Sequence, residues 1–169
     1  MHLRRFLAPF SYREPLVREL IHYYKYVGVR DIASIFADEI VAFLGFYGIR
    51  PQEPAVLVPI PLHRSRERKR GFNQARLLAE ALAERLKLPV ADALRRIRAT
   101  APQVGMDSFE ERRTNVTDAF SVNEPAAIAG STVILIDDVS TSGATLSEAA
   151  RALREANCRT VWAIVIAKG

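Results

Sequence analysis

The stretch Val133-Ile134-Leu135-Ile136-Asp137-Asp138-Val139-Ser140-Thr141-Ser142-Gly143-Ala144-Thr145 decides how the rest of the chain is read. Its first four residues form a continuous apolar run, the pattern of a strand buried on both faces of a parallel sheet. The run delivers two adjacent carboxylates, Asp137 and Asp138, to the strand's carboxyl end. In open parallel sheets ligands bind at that end. Small hydroxylic residues and one glycine follow. A helix is then expected from Ser147 to Ala156, with Ala149, Ala150 and Leu153 apolar and Asn157 as a left-handed cap. Val161 to Ala167 reads as a final apolar strand.

The chemistry of the loop is specific. Successive backbone N–H groups near a helix N-terminus cradle anions. Gly143 lets the backbone approach an anion closely. The hydroxyls of Ser140, Thr141, Ser142 and Thr145 can donate to phosphate oxygens. Two carboxylates beside a phosphate would repel it unless they address something else. Ribose hydroxyls and a magnesium ion are the natural partners. The segment therefore reads as a binder of a phosphorylated sugar. A plain strand with a capped turn is the bland alternative. A Walker B strand is a sharper rival, but it needs a GxxxxGK[ST] loop upstream, and the chain has none.

Working outward, Ala55 to Ile60 is a second continuous apolar run. After it comes Pro61-Leu62-His63-Arg64-Ser65-Arg66-Glu67-Arg68-Lys69-Arg70-Gly71-Phe72-Asn73-Gln74, in which five of the seven residues from Arg64 to Arg70 are basic. This reads as a basic loop at the ligand-binding end of a strand. It suits an anion; a solvated charged loop is the plainer reading. A nucleic-acid patch would want interleaved aromatics, and only Phe72 offers one. His63 is an acid–base or anion-binding candidate, whereas His2 and His22 carry no signal.

Apolar residues at helical spacing predict helices over residues 12–25, 32–44 and 73–86. A short helix is expected over 108–116, with Ser108 and Glu111 as a capping box. Residues 93–98 and 120–122 read as short strands. The alternation implies an α/β fold: a mainly parallel sheet with helices on both faces. Length fits one such domain with an N-terminal appendage, since the chain has 169 residues. Its 49% hydrophobic and 25% charged content is that of a soluble protein. No apolar run approaches the ~20 residues that span a bilayer, and no secretory signal follows the N-terminal arginines. A cytoplasmic protein without membrane insertion is expected. The single cysteine, Cys158, excludes an internal disulfide and a multi-cysteine zinc site, and reads as a packed thiol. The net charge of +5 favours anionic partners, whether phosphorylated small molecules or nucleic acid.

The 133–145 segment resembles the 5-phosphoribosyl-1-pyrophosphate (PRPP) signature of type I phosphoribosyltransferases. That resemblance implies that Asp137 and Asp138 are the catalytic acidic pair, holding the ribose hydroxyls and addressing Mg2+, directly or indirectly. It implies that Ser140, Thr141, Ser142, Gly143, Ala144 and Thr145 take the 5-phosphate. The basic segment narrows the match. Val58-Pro59-Ile60-Pro61, the basic stretch and Arg70-Gly71-Phe72-Asn73-Gln74 resemble the competence protein F family of phosphoribosyltransferase-like proteins. Lys25-Tyr26-Val27-Gly28, Gln103, Glu111-Arg112-Arg113-Thr114-Asn115 and Phe120 continue the likeness in order, over about residues 12–168.

This likeness implies a PRPP pyrophosphate site at Arg64, Arg70 and Lys69, with Arg66 and Arg68 weaker candidates. It implies a flexible cover over residues 99–115, with Gln103, Arg112 and Asn115 toward the ligand. Residues 1–50 would form an N-terminal helical segment or hood, and residues 51–169 the phosphoribosyltransferase-like domain. The implied activity is transfer of phosphoribose from PRPP to an unidentified acceptor, with Mg2+ as cofactor. The alternative is a non-catalytic PRPP- or nucleotide-binding module in DNA uptake or recombination. Single-stranded DNA, competence or recombination proteins and a second copy in a homodimer are its candidate partners. Many members of the family begin with a zinc module of CxxC pairs; this sequence has no such cysteines, and the zinc role is not carried over.

Overall fold

A computed structural model of the chain describes residues 2–27, 30–99 and 114–169. Strands β1 (Leu3–Leu7) and β2 (Phe10–Ser11) lead into helices α1 (Pro15–Val27) and α2 (Arg30–Phe46). Next come β3 (Ala55–Pro59), α3 (Arg64–Arg70), α4 (Gln74–Leu86), β4 (Leu94–Arg96) and β5 (Phe120–Val122). The described chain ends in β6 (Thr132–Ser140), α5 (Ala144–Glu155) and β7 (Thr160–Lys168).

The main sheet has the order β1-β7-β6-β3, and β2 extends along β7. Every pair in it is parallel. β4 and β5 form a separate antiparallel pair. Side chains alternate across the two central strands, as the pleat requires. Val133 and Leu135 of β6 face one core with Leu146, Ala150 and Leu153 of α5 and with Leu94 and Phe120. Ile134 and Ile136 face a second core with Ile21, Phe36 and Ile40 of α1 and α2 and Leu78 and Leu82 of α4. β7 repeats the alternation, with Val161, Ala163 and Val165 on one side and Trp162, Ile164 and Ile166 on the other. Both faces are covered, which is why the strands read as unbroken apolar runs. The fold is the α/β arrangement that the strand–helix alternation predicts.

Local outcomes differ in informative ways. β6 does not stop at Ile136. It continues to Ser140, so Asp137 pairs with Val165 and Ser140 with Lys168. The helix expected from Ser147 begins at Ala144. The basic segment read as a loop is instead helix α3, which corrects that expectation. His63 caps it, its ring accepting from the Ser65 amide at 3.4 Å, and Gly71 ends it at φ 85°. Arg, Glu and Lys are good helix formers, and Arg68, Lys69 and Arg70 in the last turn suit the helix dipole. Residues 1–50, expected as a helical hood, also supply β1 and β2 to the sheet. β1 carries Arg4 and Arg5 on its exposed positions, as edge strands do. The helix expected over 108–116 lies largely outside the described residues; residues 114–116 are helical. Among the described residues no helix is long and apolar enough to cross a membrane. Cys158 is buried, and burial pushes its thiol up.

Candidate functional site

The site forms where β3 and β6, adjacent and in register, reach their carboxyl ends. Pairing extends one step further, because the Ile60 amide donates to the Ile136 carbonyl at 2.9 Å. β3 then leads to α3 while β6 carries the acidic pair, so the basic helix and the carboxylates emerge side by side.

The two carboxylates are not equivalent. Asp137 is half-buried, and its Oδ1 accepts from the Asp138 amide at 2.9 Å. Asp138 is 4% exposed. Its Oδ1 accepts from the Val139 amide at 2.6 Å. Its Oδ2 receives no hydrogen bond but lies 3.3 Å from Lys25 Nζ, an ammonium delivered by α1. Burial pushes the Asp137 carboxyl up to about 7, and the neighbouring Asp138 charge adds to the effect. The Asp138 amide, Lys25 and Arg96 pull the other way. Adjacent carboxylates are suited to a cation or to hydroxyl donors.

Beyond β6 the chain turns at Gly143, whose φ is 76° and which stands at the N-cap of α5. An added Cβ there would meet no atom within 4 Å, so the backbone conformation and not packing asks for glycine. The Ala144 amide donates to Ser142 Oγ at 3.3 Å. A small cleft of about 30 Å³ is lined by Asp137, Val139, Ser140, Thr141, Gly143, Thr145 and Leu146. It brings one carboxylate together with four of the phosphate-loop candidates, Ser140, Thr141, Gly143 and Thr145. On another side, Ser140 to Ala144 border a cavity of about 710 Å³ that His2, Phe6, Thr117 and Arg151 also line.

Each residue of Arg70-Gly71-Phe72-Asn73-Gln74 but Phe72 has a visible structural task. The Gly71 amide closes α3 on the Glu67 carbonyl at 2.7 Å. Asn73 caps α4, accepting from the Ala75 amide at 3.0 Å, and donates to the Ile60 carbonyl at 3.1 Å, which ties the helix to the end of β3. Gln74, 4% exposed, accepts from Arg70 Nη1 at 2.5 Å through its side chain and from the Tyr24 hydroxyl at 2.5 Å through its carbonyl. The Arg70 guanidinium stands over the Tyr26 ring, 5.8 Å from its centroid. Arg70 is thus oriented from two sides.

Among the other basic candidates, Arg64, Arg68 and Lys69 are exposed, whereas Arg66 and Arg70, one helical turn apart, are half-buried. Arg66 and Asp137 both act on Arg96, the first lowering and the second raising its pKa, after burial as the main lowering cause. Arg96 on β4 also stacks over Phe120 at 5.4 Å. Sequence reasoning did not single out Tyr24, Gln74 or Arg96, nor any role for Lys25 beyond its motif. Lys25-Tyr26 and Gln74 fell within motifs, which was the available signal. Of the expected cover, Gln103 and Arg112 lie outside the described residues. Asn115 is half-buried, and its carbonyl accepts from Arg98 Nη2 at 3.1 Å.

Among the described residues no group of three or more His, Cys, Asp or Glu side chains could hold a metal ion. Asp137 and Asp138 could supply one or two ligands. That fits Mg2+, which takes its remaining oxygens from water and substrate phosphates. The buried Asp138 Oδ2 without a hydrogen bond is compatible with that use.

Residues 73–169 match the family model described as "Phosphoribosyl transferase domain". The chain is 35% identical over 153 residues to competence protein ComFC of Bacillus subtilis, covering 90% of this chain and 59% of that protein. It is 37% identical over 107 residues to competence protein F of Haemophilus influenzae, covering 60% and 45%. It is 32% identical over 163 residues to DNA utilization protein YhgH of Salmonella typhimurium, covering 94% and 69%. It therefore spans about three-fifths or less of the first two relatives' lengths. With the acidic pair, glycine-turned loop and basic helix on adjoining strands, and with these matches, the chain belongs to the phosphoribosyl transferase domain family, in its competence protein F group.

Proposed function

We propose that the chain binds PRPP with Mg2+ and transfers its phosphoribosyl group to an acceptor. One observation carries the reading. The acidic pair and the glycine-turned loop end β6, and the basic helix follows the paired strand β3, so carboxylates and two candidate anion sites come from the carboxyl ends of adjoining strands. PRPP has the matching groups: a 5-phosphate, a ribose and a pyrophosphate. In this reading Asp137 and Asp138 accept from the ribose 2- and 3-hydroxyls. The 140–145 loop donates to the 5-phosphate. Arg66 and Arg70, the half-buried arginines of α3, face the pyrophosphate, with Arg64 and Lys69 at the rim. Bound Mg2+ would supply positive charge to the leaving pyrophosphate. The transition state resembles an oxocarbenium ion, and stabilising it takes charge placement rather than a protein nucleophile.

The test is a thermal-shift titration with PRPP and Mg2+. At about 100 times the dissociation constant, ligand binding adds roughly 2.7 kcal/mol of stability. That gain is expected in the parent and absent in Asp137→Asn/Asp138→Asn. An equal gain in both proteins would remove the acidic pair from the site.

A second reading has its own support. Relatives are named for competence and DNA utilization, and α3 places Arg70 against the exposed aromatic ring of Tyr26. Basic and aromatic groups together suit single-stranded nucleic acid. A PRPP-binding module in DNA uptake would bind PRPP yet release no pyrophosphate with any nucleobase. Pyrophosphate release across a panel of bases separates the two.

A further inference from the structure

Three consecutive residues at the end of α1 reach three different parts of the site. Tyr24, fully buried, donates its hydroxyl to the Gln74 carbonyl. Lys25 sets its ammonium 3.3 Å from Asp138 Oδ2. Tyr26 lies under the Arg70 guanidinium. The residues on either side of the lysine thus touch the Arg70–Gln74 segment while the lysine itself reaches Asp138.

The pair itself is unequal. The Asp138 side chain is 6% exposed and that of Lys25 25%. Asp138 Oδ2 has no hydrogen bond, so the ammonium faces it as a charge only. A buried carboxylate needs a counter-charge, and an ammonium on a four-carbon stem is a mobile one. Mg2+ bonds oxygen at about 2.0–2.1 Å. A divalent ion that close to Oδ2 and an ammonium 3.3 Å from the same atom would repel each other strongly.

We infer that Lys25 is the resident counter-ion of the acidic pair, which a divalent cation must displace from Asp138 and which then turns to the anionic oxygens of the incoming ligand. Metal and ammonium compete for one seat, and Lys25 is a positioning residue whose partner changes from carboxylate to phosphate. The exchange rests on the PRPP–Mg2+ reading of the site. It gives the chain a reason to place a lysine, rather than a neutral donor, between Tyr24 and Tyr26. It also makes metal binding without PRPP weak, because the displaced ammonium then has no new partner.

Mn2+ is the probe, its binding followed by electron paramagnetic resonance with no turnover required. Lys25→Met removes the competitor, and Mn2+ alone should bind about tenfold more tightly than to the parent. Lys25→Arg keeps a cation at Asp138 and should return the affinity toward the parent's. An unchanged or weaker Mn2+ affinity in Lys25→Met overturns the exchange. Should Lys25→Met fail to fold, the parent alone decides the matter. Pulsed amine acetylation read by mass spectrometry should modify Lys25 several-fold faster with saturating Mn2+ than without it, and equal rates overturn the inference. The two layers fail differently. If neither Mn2+ nor PRPP binds the parent, the function reading falls with the exchange. If PRPP with Mn2+ binds but Lys25 responds to neither test, only the exchange falls.

Discussion

Asp137 and Asp138 are neighbours in the chain, yet the pleat of β6 gives them different surroundings. Asp138 points toward α1 and meets Lys25. Asp137 lines the cleft of the 140–145 loop and has its carboxyl pushed up to about 7, by burial first and the Asp138 charge second. The unfolded chain releases that proton near 3.8. Between about pH 4 and 7 the folded chain therefore holds a proton that the unfolded chain has lost, and stability falls as pH rises through that window. The decline levels off above about 7. Urea unfolding without ligand at pH 5 and pH 8 should show the decline, and Asp137→Asn should flatten it and be more stable than the parent at pH 8. A parent as stable at pH 8 as at pH 5 would mean that Asp137 ionises normally. Gly143 is the other single-residue device. Its left-handed conformation costs a residue with a Cβ roughly 1–2 kcal/mol, while open space around the position spares the fold. Gly143→Val should stay folded by circular dichroism and lose ribose 5-phosphate binding in calorimetry. Retained binding would take the loop out of the phosphate site.

α3 shows how an element sorts its own residues. Read as a loop, it ranks Arg64, Arg70 and Lys69 ahead of Arg66 and Arg68. As a helix it has one inward face, with Arg66 and Arg70 one turn apart and half-buried, and one outward face with Arg64, Arg68 and Lys69. Charge-assisted hydrogen bonds are worth about 1.5–3 kcal/mol. Arg66→Ala and Arg70→Ala should each weaken PRPP by about tenfold or more on that basis, and weaken ribose 5-phosphate little, since it lacks the pyrophosphate. Arg68→Ala should change neither. Fluorescence titrations with both ligands measure this. Equal losses for the two ligands would assign α3 to something other than pyrophosphate. The motif after α3 was legible as a string, but its logic was not. Asn73 and Gln74 act through Ile60, Arg70 and Tyr24, and the Tyr24 contact reaches an element far away in sequence.

Across the molecule, β1 closes the free edge of β7. Leu3 and Phe6 pack on one core, Leu7 on the other, and Arg5 stands 4.9 Å from the centroid of the Trp162 ring. Each well-buried apolar side chain contributes about 1.5–3 kcal/mol. Deleting residues 2–8 should therefore cost roughly 3 kcal/mol or more and leave β7 with an open row of hydrogen-bonding groups, prone to pair with another copy. A lower thermal midpoint and concentration-dependent mass by light scattering are expected. A truncated chain that stays monomeric and melts like the parent would show β1 to be dispensable.

The apolar runs at 55–60, 133–136 and 161–167 and the helical spacing between them were enough to assign an α/β fold, because burial on both faces leaves an unbroken hydrophobic signal that needs no knowledge of partners. The acidic pair and its glycine turn were readable for a similar reason: their chemistry is local, set by adjacent residues and a backbone turn. β1 was not readable, since an edge strand of five residues whose two exposed arginines are adjacent carries no period-two signal. Nor could the helix of Arg64–Arg70 be separated from a loop, as it buries no residue that would mark a face. The pairing of Lys25 with Asp138, the clasp of Tyr24 on Gln74 and the placement of Arg96 near Asp137 came only with the packed sheet and helices. Such contacts join residues distant along the chain, and their energies exist only once folding has brought the charges together and removed the water between them.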